Sequence, residues 1–251
     1  MDLGRTYRFV ADLPARVKRR LTGQGVDYRE VLFRELADRL QGASPRRILE
    51  IGPRDGEDSR RLATLRPQKF VLVDLPNQEE RIRGWLPSLQ CDAAELVVGN
   101  VMYDTRFETL EPFDLIWCTG VLYHNPEQLR FVRQLFDLTS PGGLLVLETA
   151  TARRPRTRNE SCVELWYPPN KAAGRAYHVS TNVTHLPSMK AVHAWMEMIG
   201  FAEIQKSGCH RAIGRALAAD RVAYIGRRPL GDAASVYYGH VGHNFPLGRS
   251  R

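Results

Sequence analysis

Five short apolar runs end in residues with chemical potential. The first, Arg47–Ile51, contains Glu50 and breaks at a turn bracketed by Gly52 and Gly56, in the stretch RILEIGPRDG. A buried strand that stops at a glycine turn and leads into a helical stretch aims backbone N–H groups at a ligand. The acid beside it can accept hydrogen bonds from the same ligand. Asp74 ends the second run, where a carboxylate suits the two hydroxyls of a ribose. The third ends in Gly99-Asn100-Val101, a polar side chain and a backbone N–H that suit an adenine edge. The fourth ends in Thr119-Gly120-Val121-Leu122-Tyr123-His124, and the fifth in Glu148-Thr149. The glycine turn departs from the nicotinamide fingerprint G-x-G-x-x-G, because Arg54 stands at the second glycine and the spacing is G-x-x-x-G.

The elements that must position these residues follow from periodicity. Residues 26–41 have helical spacing, with Val31, Leu32, Leu36 and Leu40 on one face and Gly42 as a stop. Strand-like runs recur at Arg47–Ile51, Phe70–Asp74, Glu95–Gly99, Phe113–Cys118 and Leu144–Glu148. Helical stretches separate them, notably Glu57–Thr64 and Pro126–Leu138, the latter with Pro126 near its first turn. Strand alternating with helix predicts an α/β fold with a parallel sheet and a ligand at the carboxyl ends of the strands. Residues 150–187 read as irregular; a helix Ser188–Ile199 ended by Gly200 and two strands, Ala202–Ser207 and Arg221–Gly226, follow.

The 251 residues suit one such domain with elaborations. With 43% hydrophobic and 25% charged residues the chain can build a core. No apolar run approaches the roughly 18–20 residues of a membrane span, and the N-terminus has no apolar leader segment. Cys91, Cys118, Cys162 and Cys209 show no metal or redox spacing, so reduced thiols in a cytoplasmic protein are expected. The net charge of +8 includes clusters at Arg16, Lys18, Arg19, Arg20 and at Arg153, Arg154, Arg156, Arg158. These are not interleaved with the aromatics of a base-stacking surface, which ranks nucleic acid below a small molecule as partner.

Read in register, the five strand ends resemble the class I S-adenosylmethionine-dependent methyltransferases. ILEIGPRDG is similar to their first motif, LVD before Leu75 to the second, VGNV to the third, FDLIWCTGVLYH to the fourth and LTSPGGLLVLE to the strand-5 motif. The resemblance covers roughly residues 44–150, with weaker matches to residue 226. A narrower likeness, to the wobble-uridine tRNA methyltransferase-like group, rests on G-x-RDG, GVLYH, the N-x-x-x-LPS run Asn182–Ser188, Trp195 and Gly200-Phe201. The chain departs from the tRNA enzyme of that group in a short extension before the first motif. It also departs at Thr181, where an arginine anchor for a carboxylated cofactor would stand. Ordinary S-adenosylmethionine is therefore the expected cofactor.

The resemblance implies a Rossmann-like, seven-stranded, mostly parallel sheet, its final pair of strands inserted antiparallel, with a lid after strand 5. Residues 1–43 would form a helical segment over the cofactor site, 44–228 the methyltransferase domain with 150–187 as substrate lid, and 229–251 a tail. Glu50, Gly52, Pro53, Arg54, Gly56, Asp74, Asn100, Val101 and Thr119 would hold the cofactor. Catalysis falls to His124, Tyr123 and Glu148. His124 reads either as a general base, its ordinary pKa of ~6.5 suiting proton removal from a hydroxyl, or as a cap of the following helix. Glu148 reads either as its partner or as an ordinary strand-end acid. Trp166, Tyr167, His178, Asn182 and His185 are expected around the acceptor, and either lid histidine could replace His124 as base. No spacing supports a metal. The expected reaction is O-methylation of a small molecule, a sugar or secondary metabolite. An RNA methyltransferase and a non-catalytic cofactor-binding subunit are the alternatives, and a homodimer is left open.

Overall fold

The computed structural model describes residues 27–154, 157, 160–166, 183–210 and 220–231. Its centre is a seven-stranded sheet, β1 (Arg47–Ile51), β2 (Lys69–Asp74), β3 (Ala94–Val98), β4 (Phe113–Thr119), β5 (Thr139–Ala150), β8 (Ala202–Lys206) and β9 (Arg221–Arg227). The order is β3-β2-β1-β4-β5-β9-β8. Neighbours from β3 to β5 are parallel; β9 runs antiparallel to both β5 and β8. Only β9 therefore opposes the rest, inserted between β5 and β8 and antiparallel to both. Helices α1 (Tyr28–Leu40), α2 (Glu57–Ala63), α3 (Glu79–Trp85), α4 (Gln128–Leu138) and α5 (Met189–Ile199) accompany the sheet.

Strand periodicity sorts the core into two layers. Leu49, Ile51, Ile116, Cys118, Leu145 and Leu147 pack on one face with α4 and α5. Ile48, Leu115, Trp117, Leu144 and Val146 pack on the other with Leu32 and Leu36 of α1 and Leu62 of α2. Each of these buried aliphatic side chains contributes about 1.5–3 kcal/mol. The same alternation sends Glu50, Thr119 and Glu148 to the α1–α2 face.

Several boundaries differ from the sequence reading. Helix α4 starts at Gln128 with Glu127 as its cap, so Pro126 precedes it. Strand β5 begins at Thr139, passes Pro141-Gly142-Gly143 through a register irregularity opposite Phe113 and Leu115, and runs to Ala150. Residues 150–187 are not wholly irregular: β6 (Val163–Trp166) and β7 (Thr184–Pro187) pair as an antiparallel hairpin. Helix α5 is capped by the Ser188 side chain, which accepts from Ala191 N at 3.1 Å, and ends at Gly200 with φ 117°. Among the described residues no helix is long and apolar enough to cross a membrane.

Candidate active site

A cavity of about 520 Å³ opens at the carboxyl ends of β1, β2, β3 and β4. Gly52, Arg54, Asp74, Asn100, Val101, Thr119, Tyr123 and His124 line it, so eight of the residues singled out from sequence meet in one place. Tyr28 and Arg29 of α1 and Arg221 of β9 complete the wall, and sequence periodicity gave no sign of them.

The glycine turn works through close approach. Gly52 has φ 79°, and a Cβ there would lie 2.7 Å from Val121 Cγ2, so the β1 and β4 loops touch only because the side chain is absent. Gly56, also at positive φ, meets the Trp85 ring rather than the cavity; a Cβ there would come within 2.7 Å of the indole. Trp85 Nε1 in turn donates to the Arg54 carbonyl at 3.0 Å, which fixes the turn from outside. Arg54 itself is left-handed at φ 48°. Pro53 accepts at its carbonyl from Gly56 N and closes the turn.

Glu50 is buried beneath this turn, and its Oε2 accepts from Ser59 Oγ at 2.6 Å. Burial, with Asp58 nearby, holds its carboxyl well above the ordinary value. Asp74 is also held above its ordinary value by burial, although its Oδ1 accepts from Leu75 N at 2.8 Å. Asn100, on the cavity wall, accepts at its Oδ1 from Met102 N at 3.0 Å. The loops carrying Asn100 and Asn125 are tied by a Tyr103–Glu127 hydrogen bond.

Tyr123 and His124 sit on a single helical turn after β4, with ring centroids 4.0 Å apart. The β6–β7 hairpin is pinned to this turn: Gln128 Nε2 donates to the Leu122 carbonyl at 3.1 Å and the His185 carbonyl at 2.7 Å. His185 reaches this junction through its main chain; burial lowers the pKa of its imidazole. Trp166 stacks under Arg153 and is not part of the cavity wall. Tyr167, His178 and Asn182 lie outside the described residues, as do most of the 1–43 segment and the tail beyond Gly231.

Glu148 is fully buried and takes both Arg221 Nε and, at 2.8 Å, Arg221 Nη2. His210 Nε2 lies 3.3 Å from its Oε1. Burial alone would raise the Glu148 pKa; the Arg221 guanidinium overrides it and brings the value down to about 2. Glu148 thus has Arg221 as its ionic partner and the His210 ring beside it, and Arg221 in turn lies over the Tyr123 ring at 5.6 Å. Asp58, which the sequence analysis did not single out, is a buried hub. It accepts from Trp117 Nε1 and Thr119 Oγ1, both at 3.1 Å, and pairs with Arg61 at 2.9 Å and Arg29 at 3.5 Å.

These residues fit S-adenosylmethionine. Asp74 on the cavity wall suits a ribose diol and the Gly52 turn brings backbone to the cavity; Glu50, buried behind that wall, would meet the cofactor's ammonium only through water or the turn backbone. A sheet of this order with this set of strand ends defines the class I S-adenosylmethionine-dependent methyltransferases.

Comparison with known proteins agrees. The model of the methyltransferase domain family matches residues 27–206, and the chain belongs to that family. It is 29% identical over 168 residues to the tRNA U34 carboxymethyltransferase of Desulforapulum autotrophicum, covering 67% of this chain and 48% of that protein. It is 30% identical over 178 residues to the same-named protein of Chromohalobacter salexigens, covering 69% and 49%. The chain spans about half the length of the curated relatives it matches. In fold it is similar to the N-terminal domain of EvdMO1, solved in the presence of SAH and D-fucose, with TM-score 0.61, 20% identity and coverage of 78% and 81%. It is also similar to the glycopeptide N-methyltransferase MtfA complexed with S-adenosylhomocysteine, with TM-score 0.59, 15% identity and coverage of 82% and 92%.

Proposed function

We propose that this chain transfers a methyl group to a hydroxyl of a small molecule, a sugar or a secondary metabolite, with His124 as general base. The observation that carries this reading is the shared cavity: His124 and Tyr123 line the same space as Gly52, Asp74 and Thr119. The volume falls in the ~300–1,000 Å³ range of small-molecule sites, enough for a cofactor with a compact acceptor.

Bound S-adenosylmethionine supplies the methyl group, activated on a sulfonium. Glu50 and the Gly52 turn would hold its amino-acid end, Asp74 the ribose, and Asn100 with the Val101 N–H the adenine. His124 would take the acceptor's hydroxyl proton as the oxygen attacks. Tyr123, packed on the imidazole, would fix the ring's orientation. Holding the two reactants in line is the main contribution, which positioning can raise to ~7–11 kcal/mol. The β6–β7 hairpin, pinned through Gln128, would shield the reacting atoms from water.

A second reading, methylation of tRNA, is favoured by the printed names of the curated relatives. Against it stands Thr181 at the expected arginine position of that group. A transfer screen with labelled S-adenosylmethionine against sugars, phenols and RNA separates the two. Label on a small hydroxyl compound supports the first reading; label on RNA alone, with strongly salt-dependent RNA binding, replaces it with the second.

A further inference from the structure

Gln128 stands on the buried face of α4, three, four and seven residues before Phe131, Val132 and Leu135, and is itself 4% exposed. The helical period asks for an apolar side chain at that place. The amide is committed to two main-chain carbonyls instead: Nε2 donates to Leu122 at 3.1 Å and to His185 at 2.7 Å. Both partners accept, which fixes the orientation of the amide. Its Oε1 is left buried with no hydrogen-bond partner among the described residues. An unpaired buried acceptor costs stability, so packing does not account for this residue, whereas the two groups it joins do. The Leu122 carbonyl also accepts from Asn125 N at 3.0 Å, the bond that closes the turn carrying Tyr123 and His124. His185 stands in β7, opposite Leu165 of β6. Ties at the base of the hairpin run elsewhere: Ala152 N, just beyond β5, donates to the Pro187 carbonyl at 2.9 Å, and Ser188 N closes on the Cys162 carbonyl at 2.8 Å.

We propose that Gln128 is a positioning residue that couples the β6–β7 hairpin to the turn carrying Tyr123 and His124, so that the placement of the hairpin sets the placement of His124. It acts through the Leu122 and His185 carbonyls and touches neither cofactor nor acceptor. This rests on the reading above, in which the hairpin shields the reacting atoms and His124 is the base.

The test follows amide hydrogen exchange in the full chain loaded with S-adenosylhomocysteine, over fragments 121–125 and 184–187. Gln128→Met keeps the shape and removes both the donor and the unpaired oxygen. Gln128→Glu, which has no donor for the two carbonyls once ionised, is the second variant. In each, both fragments should exchange at least tenfold faster, while the β1 and β4 amides and the affinity for S-adenosylhomocysteine stay within about twofold. Leu165→Gly, which loosens the hairpin from its β6 side, probes the coupling itself. In the wild-type background it should speed exchange in 121–125 as well as in 184–187 and shift the His124 imidazole resonances. In the Gln128→Met background it should leave 121–125 where that variant already has it, whereas a glutamine with a structural role alone would give additive effects. Acceleration confined to one fragment, acceleration that spreads to β1 and β4, or additivity in the double variant overturns the proposal. The same coupling in a protein whose His124→Ala variant keeps full transfer supports the link and counts instead against His124 as base.

Discussion

Thr119, the last residue of β4, donates its hydroxyl to Asp58 Oδ2 at 3.1 Å, and both residues are buried. This bond joins the strand that leads to His124 to the helix that follows the glycine turn. The other Asp58 oxygen accepts from Arg61, and Arg29 brings in α1. Removing one partner from a buried ionic cluster leaves the remaining charges uncompensated, at a cost of about 3 kcal/mol. Asp58→Ala should therefore lose about that much in urea unfolding and weaken cofactor binding with it. A loss below about 0.5 kcal/mol, the size of an ordinary surface change, would show that the hub does not hold these elements together.

Gly52→Ala places a Cβ in a left-handed conformation and against Val121. The conformation costs about 1–2 kcal/mol, and the 2.7 Å contact adds to it. Cofactor affinity should fall at least tenfold. In a Val121→Ala background the steric share should be relieved, so the same substitution should cost less there. Equal losses in both backgrounds would mean that the β1–β4 contact does not shape the cradle.

Asp74→Asn should weaken cofactor binding in calorimetry by roughly ten- to a hundredfold, since bonds to a charged group are worth about 1.5–3 kcal/mol. The pH dependence follows from burial. The ionised carboxylate is the form that accepts two ribose hydroxyls, and its pKa is raised. Affinity should then fall on acidification at a pH above the ordinary carboxylate range. Asp74→Asn should remove its share of that fall and leave the share of Glu50, whose pKa is also raised. A pH profile identical in wild type and variant would assign the titration elsewhere.

The strand ends were legible because a parallel sheet writes its ligand residues at regular stations: Gly52, Asp74, Asn100, Thr119 and His124 each follow an apolar run. Asp58, Arg29 and Arg221 were not legible, because what makes them matter is a partner far away in sequence. Arg221 meets Glu148 across β5 and β9, and nothing in the local pattern of either strand announces the pair. At Gly56 the motif position suggested the cofactor, and the structure adds a neighbour the sequence did not announce, the Trp85 ring. The β6–β7 hairpin escaped notice because its two four-residue strands are short and widely separated in sequence, and neither shows a clean alternation.

Glu148 gives a stability prediction in acid. Its pKa is depressed from 4.5 to about 2 in the folded chain, so its stabilising contribution is present above the unfolded value and is lost as pH falls through about 2. The shift corresponds to about 3 kcal/mol. Glu148→Gln should flatten the acid limb of the stability curve between those two values and destabilise the fold at neutral pH. An unchanged acid limb would mean that the Arg221 pair is not formed in solution.

The most direct measurement of the central claim is the single-turnover rate of labelled methyl transfer to a hydroxyl acceptor by cofactor-loaded His124→Ala. A positioned general base contributes about 10²–10⁴-fold. The rate should therefore fall by that factor while calorimetry finds cofactor affinity unchanged. Transfer at the wild-type rate in His124→Ala would contradict the account.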